Sequence, residues 1–452
     1  MNDLSTTLAA VATAPGRGGV GCIRISGPDA YAIAHALFRT RKGLELPGDG
    51  RPRFVTFLDG TGRALDHGYI VGFPPDRSFT GEPTVELWPH GSPPVLDALT
   101  LAAVARGATL AGPGEFTYRA LRRGRLDLAR AEAVRDLVAA RTVYQARVAF
   151  TQVEGALARK LAPLVDALVE LVARGEAAIE FADEAETHLA AGGLSRGLAD
   201  ALASARSLLE EARRGRIVRE GARVALSGVT SVGKSSIFNR LLGRDRAIVS
   251  PVPGTTRDTL EETVDLDGIP VTVVDTAGVR SAGDAIEAEG VRRARVATNE
   301  ADLVILVLDA GRKLRPDERE SLQARSSGGG AGTIVVANKF DLAPSAGGLP
   351  WPTAIPISAL TGEGLDALRD AIRDTLRGSG PVEDPVLTNV RHAAALGETV
   401  GALDRAREAL PLGEEIVLED LRAALSALGE ITGEVANDEL YDRIFSTFCI
   451  GK

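Results

Sequence analysis

The chain has 452 residues, 44% of them hydrophobic and 25% charged. At ~150 residues per domain, that is about three folded domains, and it excludes a mostly disordered chain. The 61 acidic residues outnumber the 52 lysines and arginines for a net charge of −9, which excludes a general nucleic-acid binder but leaves room for a local basic patch.

Residues 1–118 mix short β-like runs (19–25, 54–58 and 84–87) with frequent glycine and proline, which reads as an α+β domain rich in loops. Residues 119–216 read as helical. Leu157, Leu161, Leu164, Leu168 and Leu171 alternate steps of four and three, placing one apolar seam on a helix. Leu194, Leu198, Leu202, Ala205 and Leu209 repeat the trend. Residues 217–379 switch period: the apolar runs 224–227, 271–275, 303–308, 333–337 and 355–358 alternate with helical stretches, a βαβ pattern with a parallel sheet. Asp267-Gly268, between two apolar runs, marks a hairpin and one antiparallel strand. Residues 380–452 return to helix, with Leu396, Val400, Leu403 and Leu410 on one face and Val417, Leu421, Ala424, Leu425 and Leu428 on another. The expected architecture is an N-terminal α+β domain, then a helical bundle domain with an α/β domain inserted through linkers at 213–221 and 378–385. No apolar run approaches the ~18 residues of a membrane helix. Two cysteines at opposite ends, Cys22 and Cys449, and no basic-then-apolar leader, predict a cytoplasmic protein.

Gly228-Val-Thr-Ser231-Val232-Gly233-Lys234-Ser235 has the spacing of a phosphate-binding P-loop between a strand and a helix. Glycines let backbone N–H groups, with those of Ser231, Val232 and Ser236, curl around phosphate oxygens at a helix N-terminus. Lys234 reaches the β- and γ-phosphates, and the Ser235 hydroxyl ligates Mg²⁺. Asp275-Thr276-Ala277-Gly278 follows a strand, where an aspartate serves the Mg²⁺ shell and Gly278 lets the backbone approach the γ-phosphate. Asn338-Lys339-Phe340-Asp341 follows another. A carboxylate at Asp341 accepts from guanine N1–H and the exocyclic amine, which adenine does not offer, so GTP is the expected nucleotide. Ser358-Ala359-Leu360 follows the last strand, where a backbone N–H can meet guanine O6. Val279 follows Gly278 where many switch GTPases place the glutamine that orients water. The next stretch carries Asp284, Glu287 and Glu289; its residues alone suit a solvated helix start as well as catalysis.

Beyond these motifs the chain resembles the tRNA modification GTPase family MnmE (TrmE) over essentially its whole length. The resemblance rests on Gly16-Arg-Gly-Gly-Val-Gly-Cys-Ile-Arg24-Ile-Ser-Gly27, Ser78-Phe-Thr-Gly-Glu82 with Glu86, Pro113-Gly-Glu-Phe-Thr-Tyr-Arg119-Ala, Asp127-Leu-Ala-Arg-Ala-Glu132-Ala-Val, Gly254-Thr255-Thr256-Arg257-Asp258 and the terminal Phe448-Cys449-Ile-Gly-Lys452. It implies a homodimer. It also implies action with the flavoprotein MnmG to add a carboxymethylaminomethyl or aminomethyl group to carbon 5 of the wobble uridine of certain tRNAs. A tetrahydrofolate derivative, in its 5-formyl or 5,10-methylene form, would be the one-carbon donor, and GTP hydrolysis would drive potassium-stimulated G-domain dimerisation. Carried over by position, Ser235 and Thr256 are Mg²⁺ ligands, Glu287 positions the water network, and Ser231, Ser250, Val252 and Thr255 hold K⁺. Where the family has Pro-Asn with the asparagine on potassium, this chain has Thr230-Ser231, an oxygen of shorter reach. Arg24, Glu86, Arg125 (usually a lysine) and Lys452 correspond to folate contacts; without the resemblance, Arg24 and Glu86 read as ordinary surface charges. Cys449 is expected near the one-carbon site, or else as a small apolar residue. Eight arginines against Asp127, Glu132 and Asp136 across 119–147 suit tRNA phosphates or a solvated helix. The nucleotide motifs equally suit a regulatory or ribosome-assembly GTPase switch; Arg24, Glu86 and the terminal tail favour the enzyme.

Overall fold

The structure, a computed structural model, describes residues 4–40, 48–180, 188–244, 260–275, 296–327, 332–342, 351–377, 385–434 and 438–451. The chain divides into two compact units, one of residues 1–135, 152–158 and 425–452, the other of 136–151 and 159–424.

In the first unit seven strands, β1 (Leu8–Val11), β2 (Ile23–Ser26), β3 (Phe38–Arg39), β4 (Arg53–Leu58), β5 (Ala64–Phe73), β6 (Thr84–Trp88) and β7 (Thr109–Leu110), form one sheet in the order β3-β4-β5-β6-β2-β1-β7. Every pairing is antiparallel except β1 with β7. Alternation sets the core face: Ile23, Ile25, Val85 and Leu87 are buried with Leu96 and Leu99 of the helix Pro93–Val104. The expected run at 19–25 starts as a strand only at Ile23, because the glycines before it pair as loop backbone, Gly18 with Gly91 and Gly21 with Pro89. An aromatic knot of Tyr118, Phe445 and Phe448 seats the helix Asp438–Phe445 on the helix Glu115–Arg122. The terminal tail then returns to the sheet. Ile450 bridges Pro113, and Gly451, at φ +91°, lies so close to β1 that a Cβ there would sit 2.3 Å from the Val11 carbonyl.

In the second unit the helical seams fall as expected: Leu161, Leu164, Leu168 and Leu171 of the helix Ala156–Glu180 are buried, and so are Leu194, Leu198, Leu202 and Ala205 of the helix His188–Glu220. The last position of that seam is Leu208 rather than Leu209, as the helical period dictates. The expected linker at 213–221 is a correction. It is helix to Glu220, and only Gly221, at φ +85°, breaks it. Within that helix the missing side chain of Gly215 admits the Leu387 carbonyl, 1.9 Å from where a Cβ would stand. Of the other expected linker, only Pro385 lies within the described residues.

Six strands form the second sheet: β8 (Ala222–Ser227), β9 (Leu260–Leu266), β10 (Ile269–Asp275), β11 (Leu303–Asp309), β12 (Gly332–Asn338) and β13 (Ile355–Pro356), in the order β13-β12-β11-β8-β10-β9. All neighbours are parallel except β9 and β10. Their turn has Asp267 at φ +51° and Gly268 at φ +92°, the two left-handed residues that match a hairpin's twist. Leu303, Ile305 and Val307 on one face of β11 and Val304, Leu306 and Leu308 on the other are all buried, as a strand covered on both faces requires. β8 lies between β10 and β11, so the chain reverses its order of laying strands there, and the crevice beyond the carboxyl ends is the place for a ligand.

Candidate functional site

That crevice holds the glycine-rich loop between β8 and the helix Lys234–Arg244. Gly228 (φ +145°), Ser231 (φ +66°) and Gly233 (φ +97°) bend it through left-handed backbone, so a non-glycine residue accepts strain at Ser231. Lys234, 5% exposed, folds back to donate from Nζ to the carbonyls of Gly228 (2.7 Å) and Val229 (2.9 Å). Burial lowers its pKa, and Asp275 opposes that. An ammonium held in a ring of backbone groups is a ready phosphate ligand. The Ser235 hydroxyl donates to Asp275 Oδ2 at 2.7 Å, which sets two hard oxygen donors from the loop helix and the end of β10 side by side. Ser236 is exposed at the same helix start.

The other side of the crevice is built from the ends of β12 and β13. Asn338, buried, ties both loops together: Nδ2 donates to the Val232 carbonyl at 2.7 Å, and Oδ1 accepts the Ala359 N–H at 3.0 Å. Lys339 turns through φ +64° and pairs with Asp309 Oδ2 at 2.8 Å. Burial works against the Asp309 charge, but Lys339, the Gly311 N–H and Arg312 together hold its pKa below the usual carboxylate range. Asp341 sits half-buried in the short turn Phe340–Leu342; among the described residues its carboxylate has no hydrogen-bond or ion-pair partner. Ser358 is buried and its Oγ accepts the Thr361 N–H, while Leu360 is exposed. The ion pair of Asp309 and the bonds of Arg240 to this loop were not anticipated. The one signal for Asp309 was a lone acid closing an apolar strand; Arg240 gave none.

A second cluster lies in the first unit. Opposed in register on β2 and β6, Arg24 and Glu86 pair through Nε (3.0 Å) and Nη2 (2.8 Å) on one carboxylate oxygen. Arg24 also donates to the Gly451 carbonyl at 3.4 Å, so the terminal tail joins the pair. The rings of Phe79 and Phe116 stand 5.9 and 5.5 Å from the guanidinium. Arg125 Nη2 donates to the carbonyls of Asp76 (2.7 Å) and Ser78 (3.0 Å), holding the loop that carries Phe79. Nearby, burial and then Glu86 push the Cys22 thiol up to about 12, so it stays protonated; Cys449 is exposed. Glu82, buried, accepts from both Arg119 (3.1 Å) and Arg123 (3.0 Å).

Most of the arginine-rich stretch is spent on folding. Besides Arg119, Arg123 and Arg125, Arg122 bonds the Tyr118 hydroxyl, Arg130 the Val153 carbonyl and Arg135 Thr447 Oγ1. Arg141 and Arg147 are exposed. Ser250, Val252, Thr255, Thr256, Thr276, Ala277, Gly278, Glu287 and Lys452 lie outside the described residues. Among the described residues no three His, Cys, Asp or Glu side chains cluster as a metal site, and no helix is long and apolar enough to cross a membrane.

A strand, phosphate loop and helix with Asp275, Asn338-Lys339-Phe340-Asp341 and Ser358-Ala359 at one carboxyl edge define the P-loop GTPase class. Comparison with known proteins narrows this. The model described as MnmE helical domain matches residues 128–449, and that described as GTP-binding protein TrmE N-terminus matches 7–125. The tRNA modification GTPase MnmE of Xanthomonas campestris pv. campestris (strain 8004) is 43% identical over 460 residues, covering 100% of both chains. That of Koribacter versatilis (strain Ellin345) is 41% identical over 456 residues, again covering 100% of both. The chain belongs to the MnmE (TrmE) family of tRNA modification GTPases.

Proposed function

We propose that this chain hydrolyses GTP to support modification of tRNA at carbon 5 of the wobble uridine. It acts as a homodimer with the flavoprotein MnmG and adds a carboxymethylaminomethyl or aminomethyl group from a tetrahydrofolate one-carbon donor. Residues 1–118 are the donor-binding and dimerisation domain, 217–379 the GTPase domain, and 119–216 with 380–452 the helical domain around it.

The observation that carries the nucleotide reading is Asn338, whose one amide joins the phosphate loop to the base loop. Lys234, Ser236 and the backbone of 231–235 take the phosphates, with Gly278 and its neighbours Thr276 and Ala277 on the γ side. Asn338, Lys339 and Asp341 frame the guanine with Ser358, Ala359 and Leu360. The paired oxygens of Ser235 and Asp275 suit Mg²⁺, a hard cation, with Thr256 as the further ligand. Bound there, the ion neutralises charge on the phosphate oxygens. Glu287 orders the attacking water, a task Val279 has no group to perform. Ser231, Ser250, Val252 and Thr255 supply hydroxyl and carbonyl oxygens to K⁺, which takes the place of an arginine finger. Turnover of GTP by the full-length protein is therefore expected to be much faster in potassium chloride than in sodium chloride at matched ionic strength. Equal, slow rates would remove potassium from this reading and move activation to the partner, tRNA or another group.

For the donor, Arg24 and Glu86 supply a planar fork and a carboxylate beside two aromatic rings, a set that suits a flat heterocycle with N–H groups and a carboxylate tail. Lys452 follows Gly451, whose carbonyl Arg24 already holds. Arg125 borders the same loop. A plain GTP switch has no use for this constellation. Arg24→Met is expected to weaken binding of 5-formyltetrahydrofolate by about tenfold or more while GTP turnover stays at the parent's rate. Unchanged folate affinity in that variant would sink the donor site.

A further inference from the structure

The base loop is held from behind by a side chain outside every nucleotide motif. Arg240, on the helix Lys234–Arg244, donates from Nε to the Ala359 carbonyl at 2.9 Å and from Nη2 to the Leu360 carbonyl. Packing holds Ala359, which is buried in the core, but not Leu360, whose side chain is 75% exposed. Arg240 has no carboxylate partner among the described residues, so the loop carbonyls are its engagement.

The neighbouring donors are already committed. The Ser358 N–H goes to the Glu363 carbonyl at 2.9 Å, the Ala359 N–H to Asn338 Oδ1 at 3.0 Å, and the Thr361 N–H to Ser358 Oγ at 3.1 Å. Within residues 358–363, among the described residues, only the Leu360 N–H lacks an acceptor. A trans peptide is planar, and its C=O and the following N–H point in opposite directions. A guanidinium seated on the Ala359 carbonyl therefore fixes where the Leu360 N–H points. It also draws electron density toward that oxygen and strengthens the N–H as a donor.

We propose that Arg240 is a positioning residue for guanine recognition: acting through the Ala359–Leu360 peptide, it aims and polarises the Leu360 N–H toward the 6-oxo group of the base. This rests on the reading of Asp341 and residues 358–360 as the guanine site. Because Arg240 rides on the helix that opens with Lys234 and Ser235, one rigid element then sets both the phosphate end and the base end of the nucleotide.

The test is equilibrium binding of three nucleotides to the full-length parent, Arg240→Met and Arg240→Lys. GDP carries the 6-oxo group, N1–H and 2-amino group. Inosine diphosphate keeps the 6-oxo group and N1–H and lacks the amine. 6-Thio-GDP keeps N1–H and the amine but offers sulfur, a weaker acceptor, at position 6. Arg240→Met is expected to weaken GDP and inosine diphosphate alike by about five- to tenfold, and 6-thio-GDP by no more than about twofold. Arg240→Lys retains one charged donor and shows the same order with smaller losses, so it carries the test should the methionine variant fold poorly. Equal losses for all three nucleotides, or none, overturn the proposal. An Asp341→Asn variant run alongside separates the two failures. If it does not exchange GDP for xanthosine diphosphate, the guanine-site reading has failed and takes Arg240 with it; if it does, equal losses count against Arg240 alone.

Discussion

Asp341→Asn is expected to weaken GDP and GTP binding by about a hundredfold or more and to raise the affinity for the xanthine nucleotides by a comparable factor. A carboxylate is acceptor-only, and in the proposed site it would face the two donors that guanine presents along one edge, N1–H and the 2-amino group. Asparagine keeps one acceptor and replaces the other with a donor. Guanine then meets donor against donor, while xanthine, with a carbonyl at position 2, meets a match. The geometry makes the exchange large. Asp341 stands half-buried in the turn Phe340–Leu342 with no partner among the described residues to divert it. The turn is itself anchored by the Phe340 N–H on the Ile357 carbonyl at 3.1 Å. Dissociation constants for GDP and xanthosine diphosphate, measured on parent and variant, check this. A variant that weakens both equally would remove Asp341 from base recognition.

Gly233→Ala is the second large effect, and its cause is steric. At φ +97° an alanine already costs about 1–2 kcal/mol. The added Cβ would lie 2.2 Å from Asn338 Nδ2, inside the space of the amide that donates to Val232. Asn338 must then swing away, which breaks its bonds to both loops and leaves buried polar groups unpaired, at about 1–3 kcal/mol. The variant should be destabilised by about 2–5 kcal/mol and bind GDP at least about a hundredfold more weakly. Asn338→Ala, which removes the same bonds without backbone strain, should show much of the binding loss with a smaller fall in stability. A Gly233→Ala protein that binds GDP within twofold of the parent would show that the loop relaxes at no cost.

Period and spacing made much of this legible before any coordinates. Four apolar runs of the inserted region became β8, β10, β11 and β12, because strands covered on both faces must be continuously apolar, while the run 355–358 is strand only at Ile355–Pro356, at the sheet edge. Asp267-Gly268 marked its hairpin because few other pairs tolerate two left-handed residues in succession. The N-terminal sheet was harder to read. β1 is Leu-Ala-Ala-Val, which carries no β signature, and β5 contains Asp66, His67 and Gly68. Gly68 marks a close approach rather than a break, since a Cβ there would lie 2.1 Å from the Trp88 carbonyl.

By itself, then, the sequence determined the order of elements, the phosphate loop, the Asn338-Lys339-Phe340-Asp341 motif and the family, because each depends on residue type at short range or at fixed spacing. Tertiary structure alone decided which distant groups meet. It ran a helix through Gly215, where a linker was expected, because another segment's carbonyl fills the space of the missing side chain. It brought the carbonyl of Gly451 to Arg24 across 427 positions of chain. It set Arg240 on the loop 358–360, spent six of eight arginines on packing and committed the Ala359 N–H to Asn338. Such contacts follow from how elements stack, and a side chain's local pattern carries no record of the partner that stacking will bring to it.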